Sequence, residues 1–383
     1  MVLAPGSGRG ASNRGSSRKE GTGPMTSAIP VVDLEAGAAS QLDLIRAGTE
    51  ELGAIQVVGH GVPRDLMSDL NRRMARLLSL PREQKAQLAS PHPYRGWRQW
   101  PDDSGRLELE RFNVAQFDAV ADASAAGVPA EYLGLYAHGN RWPEDDPGLR
   151  ETAFGYMAAC RRLALRMLGW YARAQGLPSE TFVMGSVPHF RLTVNDYPTW
   201  AYPSSDPGDK LLLLEHADDS AVTILAQQGD YEGLQVQGPD GDWNTVPIIP
   251  GALLVLSGHL LTAWTGGRLR PGRHRVLAGG TATRRSTAVF VYPSLEVVVE
   301  PLGAFAPFAA GPGFPPVQVW DHVRDRVAGY LAEYGRPEQV AAWRDGTPYV
   351  AELAEDSAGR LRPVRQRPGR PARTPGRQAA GQR

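Results

Sequence analysis

The feature that most constrains this fold is a change of periodicity near residue 180. Seven short β-favouring runs follow that point, and Gly, Pro or Asp turns separate most of them. They span residues 190–194, 211–214, 222–226, 234–236, 253–256, 275–278 and 287–291. Many short strands between turn signals are typical of an all-β sandwich or barrel. We therefore expect a mainly β core with flanking helices.

The first 180 residues have a different pattern. Apolar residues recur at helical spacing along residues 64–80, and helices are also predicted over 41–52, 81–89 and 147–176. Two short strands are predicted at 29–34 and 54–58, and a closing helix at 319–334. We interpret residues 90–118 as a loop at the entrance to a site. Its aromatic and basic side chains include Trp97, Trp100, Arg106 and Arg111.

These patterns divide the chain into five parts. Residues 1–26 and 359–383 lack apolar periodicity and are predicted to be disordered. Between them we predict a mostly helical region over 27–180, a β core over 181–335 and a helical segment over 336–358. Met25 is a candidate for the true start of the protein. An Arg-containing transit peptide is the alternative interpretation of residues 1–26.

Charge and composition exclude several classes of protein. The net charge is zero, but residues 1–26 carry a net charge of +3 and residues 359–383 carry +8, which leaves residues 27–358 acidic by 11 charges and argues against a nucleic-acid surface there. No run of about 18 apolar residues predicts a membrane helix, and residues 1–26 lack the apolar segment of a secretory signal. We expect a cytoplasmic protein, monomeric or weakly homo-oligomeric.

Because Cys160 is the single cysteine, any metal site must use His and carboxylates.

The segment LLLLEHAD, residues 211–218, carries the most chemical information. His216 and Asp218 are two residues apart at the end of an apolar run, and alternate strand residues share a face. His274 opens a later strand and supplies a possible third ligand. Two imidazoles and one carboxylate form the facial triad of non-haem Fe(II) oxygenases, which leaves coordination positions open. A surface His beside a turn carboxylate is the alternative.

A possible carboxylate clamp follows ten residues later. Arg284 and Ser286 are alternate residues of a predicted strand and therefore share a face. A guanidinium donates two parallel hydrogen bonds to a carboxylate and keeps its charge. A dicarboxylic acid could chelate the metal at one end and bind these side chains at the other. The alternative for Arg284 is a surface arginine.

With these residues in place, the sequence resembles the isopenicillin N synthase-like group of 2-oxoglutarate/Fe(II)-dependent dioxygenases over residues 27–335. The similar motifs are ordered along the chain: IPVVDL (29–34), GAIQVVGHGVP (53–63), LPREQKAQL (80–88), YRGW (94–97), NDYP (195–198), HADDSAVTIL (216–225), WTGGR (264–268), HRV (274–276) and RRS (284–286). One departure follows the H-x-D motif, where Asp219 and Ser220 replace the usual aromatic residue and glycine. This departure adds an acid to the predicted pocket wall.

The resemblance implies a fold and a site. The fold is a double-stranded β-helix, or jelly roll, with helices packed outside. His216, Asp218 and His274 would be the iron ligands, and Arg284 and Ser286 would bind the distal carboxylate of 2-oxoglutarate. The remaining residues are less central. Asn195 and Tyr197 match positions that often contact the cosubstrate. Arg95 matches a substrate-contacting arginine of some relatives. The remaining candidates, interpreted as structural histidines, are His60, His189 and His259. A loop arginine packed on Trp97 is the alternative for Arg95.

The function implied is oxidation of a small molecule, by default hydroxylation, with Fe(II), 2-oxoglutarate and O₂. A role in bacterial specialised metabolism is the expectation. Desaturation and ring closure are possible on the same iron. Three alternatives remain open: an oxidase of the same fold that uses no 2-oxoglutarate, a non-catalytic binding protein, and a Zn(II) hydrolase.

Overall fold

A computed structural model describes ten stretches of the chain: residues 29–37, 40–90, 92–101, 107–199, 210–229, 231–279, 283–308, 314–334, 353–355 and 361–363. The predictions for residues 1–26, for Met25 as the start and for Arg106 lie outside them. No helix in this part of the chain has both the length and the apolar character needed to cross a membrane.

Seven α-helices lie in the described residues: α1 (Leu42–Ala47), α2 (Arg64–Leu78), α3 (Arg82–Ala86), α4 (Val120–Ala125), α5 (Gly148–Ala174), α6 (His259–Trp264) and α7 (Val319–Tyr334). A π-helical turn, Gly48–Leu52, extends α1, and 3₁₀ turns occupy Ala130–Tyr136 and Gly303–Phe308. The helices predicted over 41–52, 64–80, 81–89, 147–176 and 319–334 are all present, with ends moved by a few residues.

The described residues also contain sixteen β-strands. They are β1 (Val31–Asp33), β2 (Ala54–Val58), β3 (Gly96–Pro101), β4 (Leu107–Ala115), β5 (Phe190–Tyr197), β6 (Leu211–His216), β7 (Val222–Gly229), β8 (Leu234–Gln237), β9 (Trp243–Thr245), β10 (Leu253–Ser257), β11 (His274–Leu277), β12 (Arg284–Val291), β13 (Val298–Val299), β14 (Val317–Gln318), β15 (Leu353–Glu355) and β16 (Leu361–Pro363). All seven strands predicted beyond residue 180 are present. Strands β9, β13 and β14 were not predicted, since they are only two or three residues long.

Two sheets form the core. The larger has the strand order β1-β2-β10-β7-β12-β5-β4-β3, and the smaller has the order β6-β11-β8-β9. Side chains from both sheets line one cavity and share one apolar cluster, so the sheets pack face to face. The expectation of a mainly β fold with flanking helices is confirmed.

Alternation along the strands separates the cavity from the helical layer. On β12, Ala288 packs in the cluster between the sheets, whereas Val289 and Val291 pack in the cluster that includes α5. Strand β5 follows the same rule, with Leu192 and Val194 toward α5. Because side chains of a strand alternate between faces, the larger sheet has one face for α5 and one for the cavity.

The loop prediction for residues 90–118 is wrong over two stretches. Strands β3 and β4 form a hairpin, and β4 pairs with β5, which extends the larger sheet. The sequence pattern did not predict this hairpin, because some of its polar residues are buried and paired instead of exposed. Lys85 of α3 donates from its Nζ to both carboxylate oxygens of Glu110 on β4, at 2.7 and 2.8 Å.

Strands β15 and β16 pair antiparallel. The first lies in the segment predicted to be helical and the second in the tail predicted to be disordered, so the structure differs from both predictions at these six residues. The remainder of those two segments is outside the described residues.

Loss of the Lys85–Glu110 pair is expected to destabilise the fold. Both side chains are less than 10% exposed, so Glu110→Gln would leave a buried ammonium without its counter-charge. We expect a loss of about 3 to 5 kcal/mol in the free energy of unfolding, measured by urea denaturation. The control is Glu108→Gln on the same strand, whose partner Lys210 is about one-third exposed; it should cost about 1 kcal/mol or less. Equal small losses in the two variants would contradict this prediction.

Candidate metal centre

Three predicted ligands converge where the smaller sheet ends. His216 is the last residue of β6, His274 is the first of β11, and the two lie directly opposite each other in the antiparallel pair. Their ring centroids are 4.3 Å apart, and His216 Nε2 is 3.7 Å from Asp218 Oδ1. One nitrogen or oxygen atom from each of the three residues lies within 4.8 Å of the others. One ion can therefore contact all three.

Asp218 reaches this position by a route that differs from the prediction. It does not alternate along a strand with His216, because β6 ends at His216 and Asp218 lies in the following turn. Backbone hydrogen bonds from the start of α6 hold that turn. The amide of His259 donates to the Asp218 carbonyl at 2.9 Å, and that of Gly258 donates to the Ala221 carbonyl at 2.9 Å.

Hydrogen bonds fix the tautomers of both imidazoles. His216 Nδ1 lies 2.8 Å from the carbonyl oxygen of Leu214, and His274 Nδ1 lies 2.9 Å from that of Gly272. A carbonyl only accepts, so each neutral ring carries its proton on Nδ1 and keeps the lone pair of Nε2 for a metal. Burial, with a smaller contribution from His216, lowers the pKa of His274 to about 4. His274 is therefore neutral near pH 7, as a metal ligand must be.

An unpaired carboxylate oxygen fits a cation at this position. Asp218 is 6% exposed, and its Oδ2 is buried with no hydrogen-bond partner among the described residues. A buried polar atom without a partner is costly and unusual. Two imidazole nitrogens and one carboxylate suit Fe(II), and they leave further coordination positions open.

A cavity of about 240 Å³ between the two sheets contains these three side chains. One wall is the inward face of β5 and β12, where Ser286 lies opposite Asn195 and Arg284 lies opposite Tyr197. All four of these residues line the cavity. The structure thus brings together the predicted metal ligands and the predicted cosubstrate residues.

Arg284 is a buried cation with free hydrogen-bond donors. It is 1% exposed, its Nη2 donates to Gln227 Oε1 at 3.1 Å, and its Nε and Nη1 have no partner among the described residues. Its guanidinium carbon lies 5.0 Å from the centre of the Tyr197 ring. No described carboxylate forms an ion pair with it. The arrangement therefore fits the carboxylate of a ligand, which would supply both the acceptors and the counter-charge.

Asn195 orients its neighbours on this wall. Its Nδ2 is 3.4 Å from Ser286 Oγ, and its Oδ1 accepts a 2.6 Å hydrogen bond from Arg111 Nε. The Arg111 guanidinium lies 4.8 Å from the centre of the Trp100 ring. Arg111 and Trp100, predicted to lie near the entrance, are thus coupled to the cosubstrate residues through Asn195.

Arg95 is placed outside the cavity lining. It is 2% exposed, and its Nη1 and Nη2 donate to the backbone carbonyls of Tyr94 and Leu135 at 2.8 and 3.0 Å. It lines a much smaller neighbouring space of about 10 Å³. The structure does not bring it to the metal ligands.

The three other predicted histidines differ in their surroundings. The ring of His60 is held on both nitrogens, by the Gly251 carbonyl at 2.8 Å and by the Val62 amide at 3.0 Å, which confirms a structural role. His189 lies 3.0 Å from the Tyr136 hydroxyl, and burial lowers the pKa of His189 to about 3. His259 contributes its backbone amide to the metal-binding turn, and its side chain is exposed.

Sequence reasoning missed Arg191 and predicted Asp219 only as a departure. Arg191 lines the cavity and lies two residues before Thr193 and four before Asn195 on the same face of β5. Because Asn195 was already a candidate, the four-residue spacing between the two could have identified Arg191 from the sequence. The Asp219 carboxylate accepts a 2.9 Å hydrogen bond from Tyr292 and lines the same cavity. The expected change to the pocket wall is therefore present.

Comparison with known proteins identifies the family. The 2OG-Fe(II) oxygenase superfamily matches residues 189–293, and the family described as the N-terminal region of a non-haem dioxygenase in morphine synthesis matches residues 29–145. Validamycin A dioxygenase of Streptomyces hygroscopicus subsp. limoneus is 31% identical over 324 residues, 78% of this chain and 86% of that protein. Probable flavonol synthase 5 of Arabidopsis thaliana is 28% identical, over 80% of this chain and 89% of that protein.

Solved structures agree with the fold. JOX2 in complex with 2OG, Fe and JA has a TM-score of 0.65 and 25% identity, covering 78% of this chain and 85% of that one. The dioxygenase for auxin oxidation in rice has a TM-score of 0.60 and 24% identity, covering 79% of this chain and 96% of that one. The chain belongs to the 2OG-Fe(II) oxygenase superfamily and is a non-haem oxidoreductase with a jelly-roll core. The cofactors of this family are Fe(II), 2-oxoglutarate and O₂.

Gly258 allows the close approach that holds the metal-binding turn. A Cβ at this residue would lie 1.9 Å from the Ser220 carbonyl oxygen, so Gly258→Ala must displace the turn that carries Asp218. We expect Mn(II) affinity, measured by titration, to fall about 10- to 100-fold. The control is Gly134→Ala, where an added Cβ meets no atom within 4 Å. A folded Gly258→Ala variant with unchanged metal affinity would refute this role.

Proposed function

We propose that this protein is a 2-oxoglutarate-dependent dioxygenase that hydroxylates a small molecule at iron held by His216, Asp218 and His274. The single observation that carries the proposal is the shared cavity. It holds the three candidate ligands, with the unpaired Oδ2 of Asp218, and the buried guanidinium of Arg284 with its unpaired donors. A cation site and a carboxylate site in one space match a chelating dicarboxylic acid.

Each wall residue has a role in this proposal. Arg284 and Ser286 bind the far carboxylate of 2-oxoglutarate, and Tyr197 packs against the Arg284 guanidinium. Asn195 orients the Ser286 hydroxyl and is itself held by Arg111. Because Arg284 is almost fully buried, its attraction for a carboxylate is screened less than it would be in water.

The iron and its cosubstrate supply the oxidative chemistry when they are bound. The protein supplies ligation, orientation and a cavity that limits access by water. The hydrogen bonds from Nδ1 of His216 and His274 to backbone carbonyls keep both Nε2 atoms directed at one point. These contacts restrain the orientation of both rings.

The proposal also covers the group within the superfamily, the metabolic role and the location of the protein. Membership of the isopenicillin N synthase-like group is supported by the ordered motifs between residues 29 and 286. A role in bacterial specialised metabolism is supported by the similarity to a Streptomyces validamycin A dioxygenase. We further propose a cytoplasmic protein, monomeric or weakly associated, that binds no nucleic acid.

Succinate release tests the proposal against its nearest rival. Candidate metabolites are screened with Fe(II), 2-oxoglutarate and O₂, and succinate is measured together with oxidised product. We expect the two to form in equal amounts. Product formation that needs no 2-oxoglutarate would favour the oxidase of the same fold. A folded protein that binds no iron would favour a non-catalytic binding protein.

Removal of one ligand should abolish metal binding. Asp218→Ala, like His216→Ala, takes away one of three donors, so we expect no tight Fe(II) binding and no product. Anaerobic metal titration and circular dichroism measure binding and folding separately. Asp43→Ala is the control, since that side chain is 93% exposed on α1. A folded Asp218→Ala variant with wild-type turnover would refute the assignment.

Changing the carboxylate clamp should affect the cosubstrate specifically. Arg284→Gln removes charge-assisted hydrogen bonds, each contributing about 1.5 to 3 kcal/mol, so we expect the Kd for 2-oxoglutarate to rise about 10- to 150-fold. Metal affinity should be unchanged. Arg285→Gln is the matched control, because Arg285 pairs with Asp196 at 2.6 Å and does not line the cavity. Equal effects of the two substitutions would count against the clamp.

A further inference from the structure

Two arginines lie at opposite ends of one cavity wall. Arg284 lies opposite Tyr197 at one end of the β5–β12 ladder, and Phe290 lies opposite Arg191 at the other. Six residues separate Arg284 from Phe290, which places the two ends roughly 20 Å apart. The proposed function uses only the Arg284 end. The Arg191 end therefore faces the space left for the substrate.

Aromatic contacts fix the orientation of Arg191. Its guanidinium carbon is 4.3 Å from the centre of the Tyr94 ring and 4.0 Å from that of the Phe290 ring. Its Nη1 donates to Thr193 Oγ1 at 3.1 Å. A guanidinium held in this way presents its N–H groups from a planar edge, which matches the plane of a carboxylate.

Positive charge exceeds negative charge around Arg191. The small space behind it is lined by three arginines, Arg95, Arg191 and Arg326, and by one carboxylate, that of Asp219. Arg191 Nη2 is 4.0 Å and Arg326 Nε is 3.8 Å from oxygens of Asp219, so one acid serves both. Buried charges need partners. Arg191, Arg326 and Asp219 also line the main cavity, so this end of it carries one more positive than negative charge among the described residues, which makes it complementary to an anion.

We propose that Arg191 is the substrate anchor and that the substrate is a small carboxylic acid whose carboxylate it binds. The assignment rests on the proposed function, because it treats the Arg284 end as occupied by 2-oxoglutarate. Asp219, which contacts Arg191, directly follows the candidate ligand Asp218, so the guanidinium lies no more than about 15 Å from the Asp218 carboxylate. The oxidised carbon is therefore separated from the carboxylate by several bonds.

The test compares acids with their neutral amides. Wild-type protein loaded with Mn(II), which prevents turnover, is first titrated with 2-oxoglutarate to saturation. Phenylacetate and 4-phenylbutyrate are then titrated against phenylacetamide and 4-phenylbutyramide by calorimetry. We expect both acids to bind at least about tenfold more tightly than their amides, and Arg191→Gln to remove this preference without changing the Kd for 2-oxoglutarate.

Arg275→Gln is the matched control. Arg275 stacks on Trp243 at 4.2 Å, and it is absent from the described lining of the cavity. This variant should keep the preference for acids. Acids that bind no better than amides to the wild type, or a preference that survives in Arg191→Gln, would overturn the assignment. Failure of the first titration, with 2-oxoglutarate, would instead overturn the proposed function.

Discussion

The antiparallel pairing of β6 with β11 is the constraint on which the site depends. It places His216 directly opposite His274, although 58 residues separate them in the chain. The pairing is irregular beyond this point, since Val276 lies opposite Leu213, and such bulges are common beside active sites. The backbone carbonyls of Leu214 and Gly272, in the same two segments, then orient the rings. The geometry of the two histidine ligands is thus a product of sheet register.

The cavity is polar where it functions and apolar elsewhere. Its outer support is the cluster between the larger sheet and α5, which lets the inward face carry Arg191, Asn195 and Arg284 without loss of the core. Burial of these groups is costly, and the cost is offset only where a partner is present. Asn195 is paired with Arg111, whereas Arg284 keeps two unpaired donors. In our account, the carboxylate of a bound 2-oxoglutarate supplies the missing partners of Arg284.

Much of the fold and of the candidate site could be predicted from the sequence. The strands beyond residue 180 carry strong apolar runs, and His216, Asp218, His274 and Arg284 lie in short motifs that the sequence shows directly. Other features depend on contacts distant in sequence. Glu110 looks exposed by type but is buried against Lys85, and the turn carrying Asp218 is held by backbone amides at the start of α6. Such interactions leave no periodic pattern.

The most direct test of the central claim is an anaerobic titration of the folded protein with Fe(II) and 2-oxoglutarate, monitored by visible absorption. Our account predicts a weak charge-transfer band that saturates at one iron and one 2-oxoglutarate per chain. Absence of the band, with no iron bound by a protein of intact circular dichroism, would contradict the claim that these three side chains form an iron site.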